Sequence, residues 1–283
     1  MSLLERGPVF VVGAQRSGTT WVQRLLAAHP AIAGGQESHL FSGYLAPLWR
    51  RWENEEAERA RGRITGLACY LTQEQFLEEL RRLARRVFIG LERAKPDARL
   101  LVEKTPDHGL HLPLIQRVFP DAVIVHVLRD GRDVAASLRD ASRHRWGESW
   151  APANVEEAAY RWVQWVRRIQ HDLPRFARTC TVRYEDLSAD GGSVLADLYD
   201  FLGEPLPAQQ VKSIIDGGAF DAIVSGGVDS LLLEGACHGA AAPEPEGFHR
   251  RGQAGGWRTD LSLEEQVLVH AVAGELLDEL GYS

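Results

Sequence analysis

Short runs of consecutive apolar residues recur along the chain and predict buried strands. The first run, Val9–Val12, leads through a Gly-rich loop into a stretch of helical periodicity over residues 20–28. Further runs lie at 99–104, 122–130 and 180–187, and each is followed by helical spacing. An unbroken apolar run is typical of a strand covered on both faces, as in a parallel sheet. The alternation predicts an α/β fold: a P-loop-like central parallel sheet flanked by helices on both faces, in a single domain.

Longer segments have apolar positions every three or four residues and predict amphipathic helices. The first covers 71–88 and begins with a capping box of Thr72 and Gln75. The others cover 154–177 and 262–280. Shorter helices are predicted at 110–118, 132–139, 193–202 and 207–215.

Two stretches lack a clear period. Residues 34–70 mix aromatic and charged residues, and 217–256 are rich in Gly, Ala and Pro, which is typical of a loop or mobile flap. No repeat and no linker divides the chain, so we expect one domain over 1–283.

Composition narrows the class of protein. The 283 residues carry a net charge of −7, which is no reason to expect nucleic acid as a partner. The three cysteines are far apart, so they indicate neither a disulfide framework nor a metal site and favour a cytoplasmic location. No apolar stretch approaches the roughly 20 residues of a membrane span, and Val9 comes too early to leave room for a signal peptide. The oligomeric state is not indicated.

The loop after the first strand is the strongest candidate for chemistry. Gly13 and Gly18 have the spacing of a phosphate-binding loop, yet the next residue is Thr19 rather than the expected Lys. Positive charge comes earlier, from Arg16, and Ser17 adds a hydroxyl. Backbone amides and a helix N-terminus at such a loop bind an anion. The alternative is a tight strand–helix turn that binds nothing.

Two further segments suit anionic ligands. In "VLRDGRDVAASLRD" (127–140), Arg129 follows a buried strand and Ser137 lies on the next helix, an arrangement that can hold a second phosphate. In "FHRRGQAGGWRTDLS" (248–262), two arginines precede glycines and a tryptophan. Taken alone, the segment 127–140 is equally typical of a solvated helix start, and the segment 248–262 is equally typical of a plain surface turn.

Together these motifs resemble those of the sulfotransferases that use 3′-phosphoadenosine 5′-phosphosulfate (PAPS). "QRSGTTW" is similar to the family's 5′-phosphosulfate loop and "VLRDGRDVAASL" to its 3′-phosphate motif. "VRYEDL" resembles the strand whose Tyr approaches the adenine, and "FHRRGQAGGW" the closing carboxyl-terminal motif. The last differs from the family pattern in having Arg251 for Lys and Gly256 for Asp. The motifs occur in the family's order between residues 9 and 260.

The resemblance implies an enzyme that moves a sulfuryl group from PAPS, as co-substrate and without a metal, to a hydroxyl or amine. Arg16 would lie near the bridging oxygen of the leaving phosphate, where a cation stabilises developing charge. The residues implied in donor binding are Arg16, Ser17, Gly18, Thr19, Thr20, Trp21, Arg129, Ser137, Tyr184, Arg250, Arg251 and Gly252.

The resemblance leaves the general base open. In one branch, which includes tyrosylprotein and polyketide-associated members, a Glu follows the first helix, and "HPAIAGGQESHLF" places Glu37 there. His39 is close enough to assist or substitute. Small-molecule cytosolic members have a His after a Lys-Thr pair, and "EKTPDH" offers His108 imperfectly. Lys104, one of three lysines, resembles the family's second basic residue beside the transferred group, or it forms a strand-end salt bridge.

Two other functions compete with sulfuryl transfer. A kinase-like phosphotransferase would use Asp130 to hold Mg²⁺, although the missing Lys argues against it. A nucleotide-binding protein without catalysis would have lost its base. The acceptor, a small molecule, a carbohydrate or a carrier-bound group, is not readable from the sequence. Segments near 38–98 and 217–247 least resemble the family's common core, so the resemblance implies that they shape the acceptor site. Four tryptophans in or near irregular stretches suggest an apolar or aromatic acceptor or equally a buried core: Trp49, Trp52, Trp146 and Trp150.

Overall fold

A single parallel sheet forms the centre of the molecule in the computed structural model, which describes residues 3–63, 65–218 and 252–282. Its five strands have the order β2-β3-β1-β4-β5. The strands are β1 (Val9–Val12), β2 (Ile32–Gly34), β3 (Leu100–Lys104), β4 (Val123–Leu128) and β5 (Arg178–Arg183). In the register, Val9 of β1 lies opposite Val102 and Val123 of its two neighbours.

Helices cover both faces of this sheet. In the described residues they are α1 (Thr19–Ala27), α2 (Ala46–Ala60), α3 (Gln73–Ala94), α4 (Leu112–Val118), α5 (Gly131–Ala141), α6 (Val155–Asp172), α7 (Tyr184–Ala189), α8 (Gly191–Leu202), α9 (Ala208–Gly217), α10 (Trp257–Asp260) and α11 (Leu263–Glu279). Short 3-10 turns cover Leu3–Arg6, Leu67–Cys69, Pro106–His111 and Leu173–Arg175, and a π-helical turn covers Leu40–Leu45.

Alternate residues of β1 show how the core is divided. Val9 and Val11 pack with apolar side chains of α1, α8 and α9 on one face. Phe10 and Val12 pack with those of α2, α3 and α4 on the other. Both sets are fully buried, which explains why the strands appear as unbroken apolar runs. The predicted fold class, a parallel sheet with helices on both faces, is confirmed. The extent of the domain over 1–283 stays a prediction.

The chain order creates a switch point beside β1. After β1 the chain forms β2 and β3 on one side of it, then crosses to β4 and β5 on the other. In open α/β sheets, ligands bind beyond the carboxyl ends of the strands at such a point. The loop after β1, Lys104 at the end of β3 and Arg129 after β4 therefore meet at one edge.

Several predicted boundaries were wrong. Residues 34–70 are not irregular, because α2 forms there, and β2 had not been predicted. The helix predicted at 71–88 covers Gln73–Ala94, with the expected capping box at Thr72 and Gln75. The strand predicted at 180–187 ends at Arg183, since the chain turns into α7 at Tyr184. The helix predicted over 154–177 ends at Asp172, where a 3-10 turn containing a proline follows.

Candidate active site

The loop between β1 and α1 has the backbone of an anion-binding turn. Arg16 has a φ of 70° and Gly18 a φ of 92°, both in the left-handed region. The amide of Ser17 donates a hydrogen bond to the carbonyl of Ala14 at 3.1 Å and closes the turn. A Cβ atom on Gly18 would lie 2.5 Å from a ring carbon of Tyr184, so only glycine fits beneath that ring.

The hydroxyl of Ser17 is the clearest sign that this loop holds a ligand. Ser17 is 1% exposed, and its Oγ has no hydrogen-bond partner among the described residues. A buried polar atom is normally paired, so an unpaired hydroxyl at a helix N-terminus fits a bound anion. Thr19, which begins α1, is also buried. This supports anion binding over the ligand-free turn that the sequence left open.

Lys104 connects the candidate base to the loop. Its Nζ donates to Thr20 Oγ1 at 3.0 Å and forms a close hydrogen-bonded ion pair with Glu37 Oε1. The lysine side chain is 3% exposed, whereas that of Glu37 is 34% exposed. The second carboxylate oxygen of Glu37 lies 3.5 Å from Nε2 of His39, which is more exposed still. A partly exposed carboxylate thus adjoins a buried cation that touches the loop.

The segment that carries Glu37 is tethered on both sides. Gln23 of α1 donates to the carbonyl of Gly35 at 2.7 Å. Glu103 of β3 accepts hydrogen bonds from the amide and hydroxyl of Ser38, at 3.3 and 2.8 Å. These contacts come from the first helix and from the strand that carries Lys104, so they bring Glu37 to the same edge as the loop.

His108 is occupied by structural contacts. The ring is fully buried, with Nδ1 2.6 Å from Glu103 Oε2, and Nε2 accepts a hydrogen bond from the amide of Phe41 at 3.1 Å. Both nitrogens are therefore engaged. A histidine acts as a general base only through a ring nitrogen whose lone pair is free and within reach of the acceptor, so this geometry counts against His108 and favours Glu37.

A second cluster lies beyond β4. Arg129 donates to the carbonyls of Arg16 and Gln253, at 3.2 and 3.1 Å, and its guanidinium lies 4.1 Å from the centroid of the Tyr184 ring. Arg129 is 8% exposed, and its Nε finds no hydrogen-bond partner in the described parts of the chain. The Tyr184 hydroxyl donates to the carbonyl of Gly252 at 2.5 Å.

Arg16 and Ser137 link the two clusters. Arg16 Nε donates to Ser137 Oγ at 3.1 Å, and the Arg16 guanidinium lies 5.6 Å from the centroid of the Trp146 ring. Trp21 packs against Tyr184, with ring centroids 5.4 Å apart at 64°. Residues that the resemblance assigned to the donor therefore meet in one place.

The remaining predicted residues are three from the carboxyl-terminal motif and four tryptophans. Arg250 and Arg251 lie outside the described residues, whereas Gly252 is described. Trp49 and Trp52 stack on Phe76 within the core, so the buried-core interpretation holds for both. Trp146 and Trp150 are half-buried and lie 5.9 Å apart.

No sequence motif assigns a role to Gln15 or Asp133, which the structure brings to the site, and Trp146 was predicted only as part of an acceptor pocket or of the core. Gln15 donates to Asp107 at 3.0 Å and ties the loop to the turn after β3. Trp146 contacts Arg16 from the segment between α5 and α6. Asp133 receives hydrogen bonds from the carboxyl-terminal segment. These partners are distant in sequence, and no local motif announces them.

The described residues contain no group of three or more His, Cys, Asp or Glu side chains able to hold a metal ion. None of the helices that the structure describes is long and apolar enough to cross a bilayer.

Fold and site together define an α/β protein that gathers anion-binding groups at the switch point of its sheet. A profile of the sulfotransferase family matches residues 8–208, more than half of the chain. The chain belongs to the sulfotransferase family, as its motifs had indicated.

Individual relatives agree with this membership. The chain is 25% identical over 200 residues to protein-tyrosine sulfotransferase 1 of Danio rerio, covering 70% of this chain and 53% of that protein. It is 27% identical over 291 residues to nodulation protein NoeE of Sinorhizobium fredii, covering 96% of this chain and 65% of that protein. The alignments with protein-tyrosine sulfotransferases span between 32% and 59% of those proteins' length.

Solved structures share the fold. Mouse sulfotransferase SULT7A1, complexed with PAP, aligns with a TM-score of 0.59 at 13% identity over 98% of this chain and 89% of that one. The sulfotransferase domain from the curacin biosynthetic pathway aligns with a TM-score of 0.55 at 19% identity, over 95% of this chain and 97% of that one.

Proposed function

We propose that this protein is a PAPS-dependent sulfotransferase. It transfers a sulfuryl group from PAPS to a hydroxyl or amine of a small-molecule, carbohydrate or carrier-bound acceptor. The observation that carries the proposal is the convergence, at one sheet edge, of the buried unpaired Ser17 hydroxyl, the Arg129 cluster and the Glu37–Lys104 pair. Bound there, PAPS would supply the activated sulfuryl group.

The loop after β1 is proposed to hold the 5′ end of the donor. Its backbone amides and the hydroxyls of Ser17, Thr19 and Thr20 surround the N-terminus of α1. Arg16, in the loop, donates to the hydroxyl of Ser137 on α5, and Lys104, at the end of β3, donates to the hydroxyl of Thr20 in α1. These cations would stabilise charge that develops on the leaving phosphate.

The 3′-phosphate is proposed to bind at Arg129 and Ser137. Arg129 offers a buried Nε without a partner in the described residues, and its guanidinium fork suits a phosphate. Tyr184 and Trp21 form an aromatic pair next to Gly18 that suits the adenine. The family resemblance adds Arg250, Arg251 and Gly252; of these, the backbone of Gly252 contacts Tyr184.

Glu37 is the proposed general base. Among the three candidates it combines partial exposure with a direct contact to Lys104, which reaches the loop. Its carboxylate would accept the proton of the acceptor hydroxyl or amine. His39 lies close enough to assist, while both ring nitrogens of His108 are engaged elsewhere.

Asp130 argues against the kinase alternative. Its carboxylate caps α5 by accepting from the amide of Arg132 at 2.8 Å, and it also pairs with the Arg132 guanidinium at 2.8–3.1 Å. A carboxylate engaged by an arginine is a poor ligand for Mg²⁺. The structure therefore favours metal-free sulfuryl transfer. The cytoplasmic location and the absence of nucleic-acid partners stay predictions. No oligomeric state is predicted.

The test is a transfer assay with radiolabelled PAPS in EDTA against phenols, sugars, lipid-like alcohols and carrier-bound hydroxyacyl groups. We expect label on at least one acceptor class with the wild-type chain and a loss of about 10²–10⁴ in rate with Glu37→Gln. Phosphoryl transfer from ATP that requires Mg²⁺, with no label transferred from PAPS, would overturn the proposal. Binding of PAP without any transfer would favour the non-catalytic alternative.

A further inference from the structure

Asp133 is a buried carboxylate that anchors a distant segment. It lies in the first turn of α5, four residues before Ser137, and is 0% exposed. One oxygen accepts from the amide of Gly255 at 2.7 Å and the other from the amide of Trp257 at 2.8 Å. These amides belong to the segment 252–260, more than 120 residues further along the chain, so the carboxylate fixes that segment at two points.

The anchored segment contacts two side chains assigned to the donor. The carbonyl of Gln253 accepts from Arg129, and the carbonyl of Gly252 accepts from the Tyr184 hydroxyl. A carboxylate oxygen of Asp133 lies 3.9 Å from a guanidinium nitrogen of Arg129. One carboxylate therefore sets the position of the segment relative to the guanidinium and the ring.

A carboxylate in this position is unfavourable in itself. Burial raises the pKa of Asp133 even though Arg129 and the two amides oppose the shift. The Asp133 carboxylate also places negative charge close to the proposed 3′-phosphate site. Paired contacts compensate a buried charge only when their geometry is good, and the two short amide contacts meet that requirement. This arrangement indicates a specific positional role for the acid.

We propose that Asp133 is a positioning residue for donor binding, which rests on the proposed function. It holds segment 252–257 against Arg129 and Tyr184, so that the 3′ side of the nucleotide site keeps its shape. The expected consequence is selective. Loss of the anchor weakens nucleotides that carry a 3′-phosphate and leaves AMP, which lacks that group, almost unaffected.

The experiment uses Asp133→Asn in the full chain. One of the two backbone amides then faces an NH₂ group that cannot accept a hydrogen bond. By calorimetry we expect the Kd for PAP to rise about tenfold, because nucleotide binding must then order the segment that the lost hydrogen bond to a charged group orders in wild type. The Kd for AMP should stay within about twofold, and kcat at saturating PAPS should change far less than KM for PAPS.

Two further variants separate this role from general destabilisation. Asp172→Asn is the matched control, because Asp172 is also a buried acid but pairs with Arg168 and Arg175 at the end of α6. It should lower Tm without changing the ratio of the two Kd values. Gly255→Ala strains the same turn, where φ is 74°, and leaves Asp133 in place. It should weaken PAP binding in the same direction if Asp133→Asn fails to fold.

Hydrogen exchange provides a readout that needs no nucleotide. The amides of Gly255 and Trp257 should exchange faster in Asp133→Asn, while those of β4 stay protected. A folded Asp133→Asn with unchanged exchange there, or with equal loss of PAP and AMP binding, would overturn the inference. If the wild-type chain shows no preference for PAP over AMP, the proposed function has failed; accelerated exchange at the two amides would then still show that Asp133 anchors the segment.

Discussion

Replacing Gly18 by alanine tests the contact between the anion-binding loop and Tyr184. Gly18 caps α1 with a φ of 92° and lies beneath the Tyr184 ring. A Cβ atom there would lie 2.5 and 2.8 Å from two ring carbons. Carbon atoms in contact prefer about 3.5–4.0 Å, so either the ring or the loop must shift by roughly 1 Å.

The loss of unfolding free energy in Gly18→Ala has two contributions. An L-residue in the left-handed region costs about 1–2 kcal/mol, and overpacking of a buried site costs about 1–3 kcal/mol more. We therefore expect Gly18→Ala to lower the free energy of unfolding by about 2–5 kcal/mol. Gly203 supplies the matched control, because its φ is 80° and a Cβ atom added there would meet no atom within 4 Å. Gly203→Ala should show the backbone contribution alone.

Urea unfolding followed by tryptophan fluorescence measures both variants. Repeating Gly18→Ala in a Tyr184→Ala background closes a double-mutant cycle and should recover about 1–3 kcal/mol of the loss. PAP affinity should fall in Gly18→Ala and stay unchanged in Gly203→Ala. If the two glycine variants lose equal stability and the cycle shows no coupling, the close approach of Tyr184 to the loop is wrong.

Three other predictions concern the chemistry and the core. Arg16→Ala should lower kcat by about 10²–10³, with a smaller effect on donor Kd; a loss of donor affinity with kcat preserved would show that Arg16 only anchors the donor. Glu37→Gln should lower kcat by about 10²–10⁴ with PAP binding retained, and it should reduce activity more than His39→Ala does under the same conditions. Burial lowers the pKa of His126 to about 4, so its contribution to stability is complete above pH 6.5 and is lost as the pH falls towards 4. His126→Leu should therefore lose about 3 kcal/mol less unfolding free energy than wild type between pH 7 and pH 4; identical pH profiles in urea unfolding would contradict this.

The sequence predicted those parts of the fold whose signals are local. The apolar run Val9–Val12, the glycines after it and the periodic stretch of α1 lie within 20 residues. By contrast, β2 has only three residues, too few for a period to be visible. In α2 seven of the 15 positions are charged and only Ala46, Trp49, Trp52 and Glu55 are buried, so its apolar pattern is sparse.

The candidate site likewise contains residues that local motifs indicate and contacts that no local motif indicates. Arg16, Glu37, Lys104 and Arg129 lie in motifs that are visible in the sequence, and the structure places them at one edge of the sheet. What the sequence could not show are pairings between distant segments. Nothing near His108 in the sequence indicates that the amide of Phe41 donates to its Nε2. This contact counts against His108 as the base. Similarly, no local pattern shows that Asp133 receives the amides of Gly255 and Trp257.

Calorimetric titration of the full chain with PAP and with AMP, in EDTA, separates a PAPS-dependent sulfotransferase from the alternative functions. Two charge-assisted hydrogen bonds to the 3′-phosphate correspond to a preference of about 100-fold or more for PAP. We expect that preference in wild type and its collapse to within about tenfold in Arg129→Ala, since one of the two contacts is then lost. Equal dissociation constants for PAP and AMP in wild type, or binding that appears only when Mg²⁺ is added, would contradict a PAPS-dependent sulfotransferase.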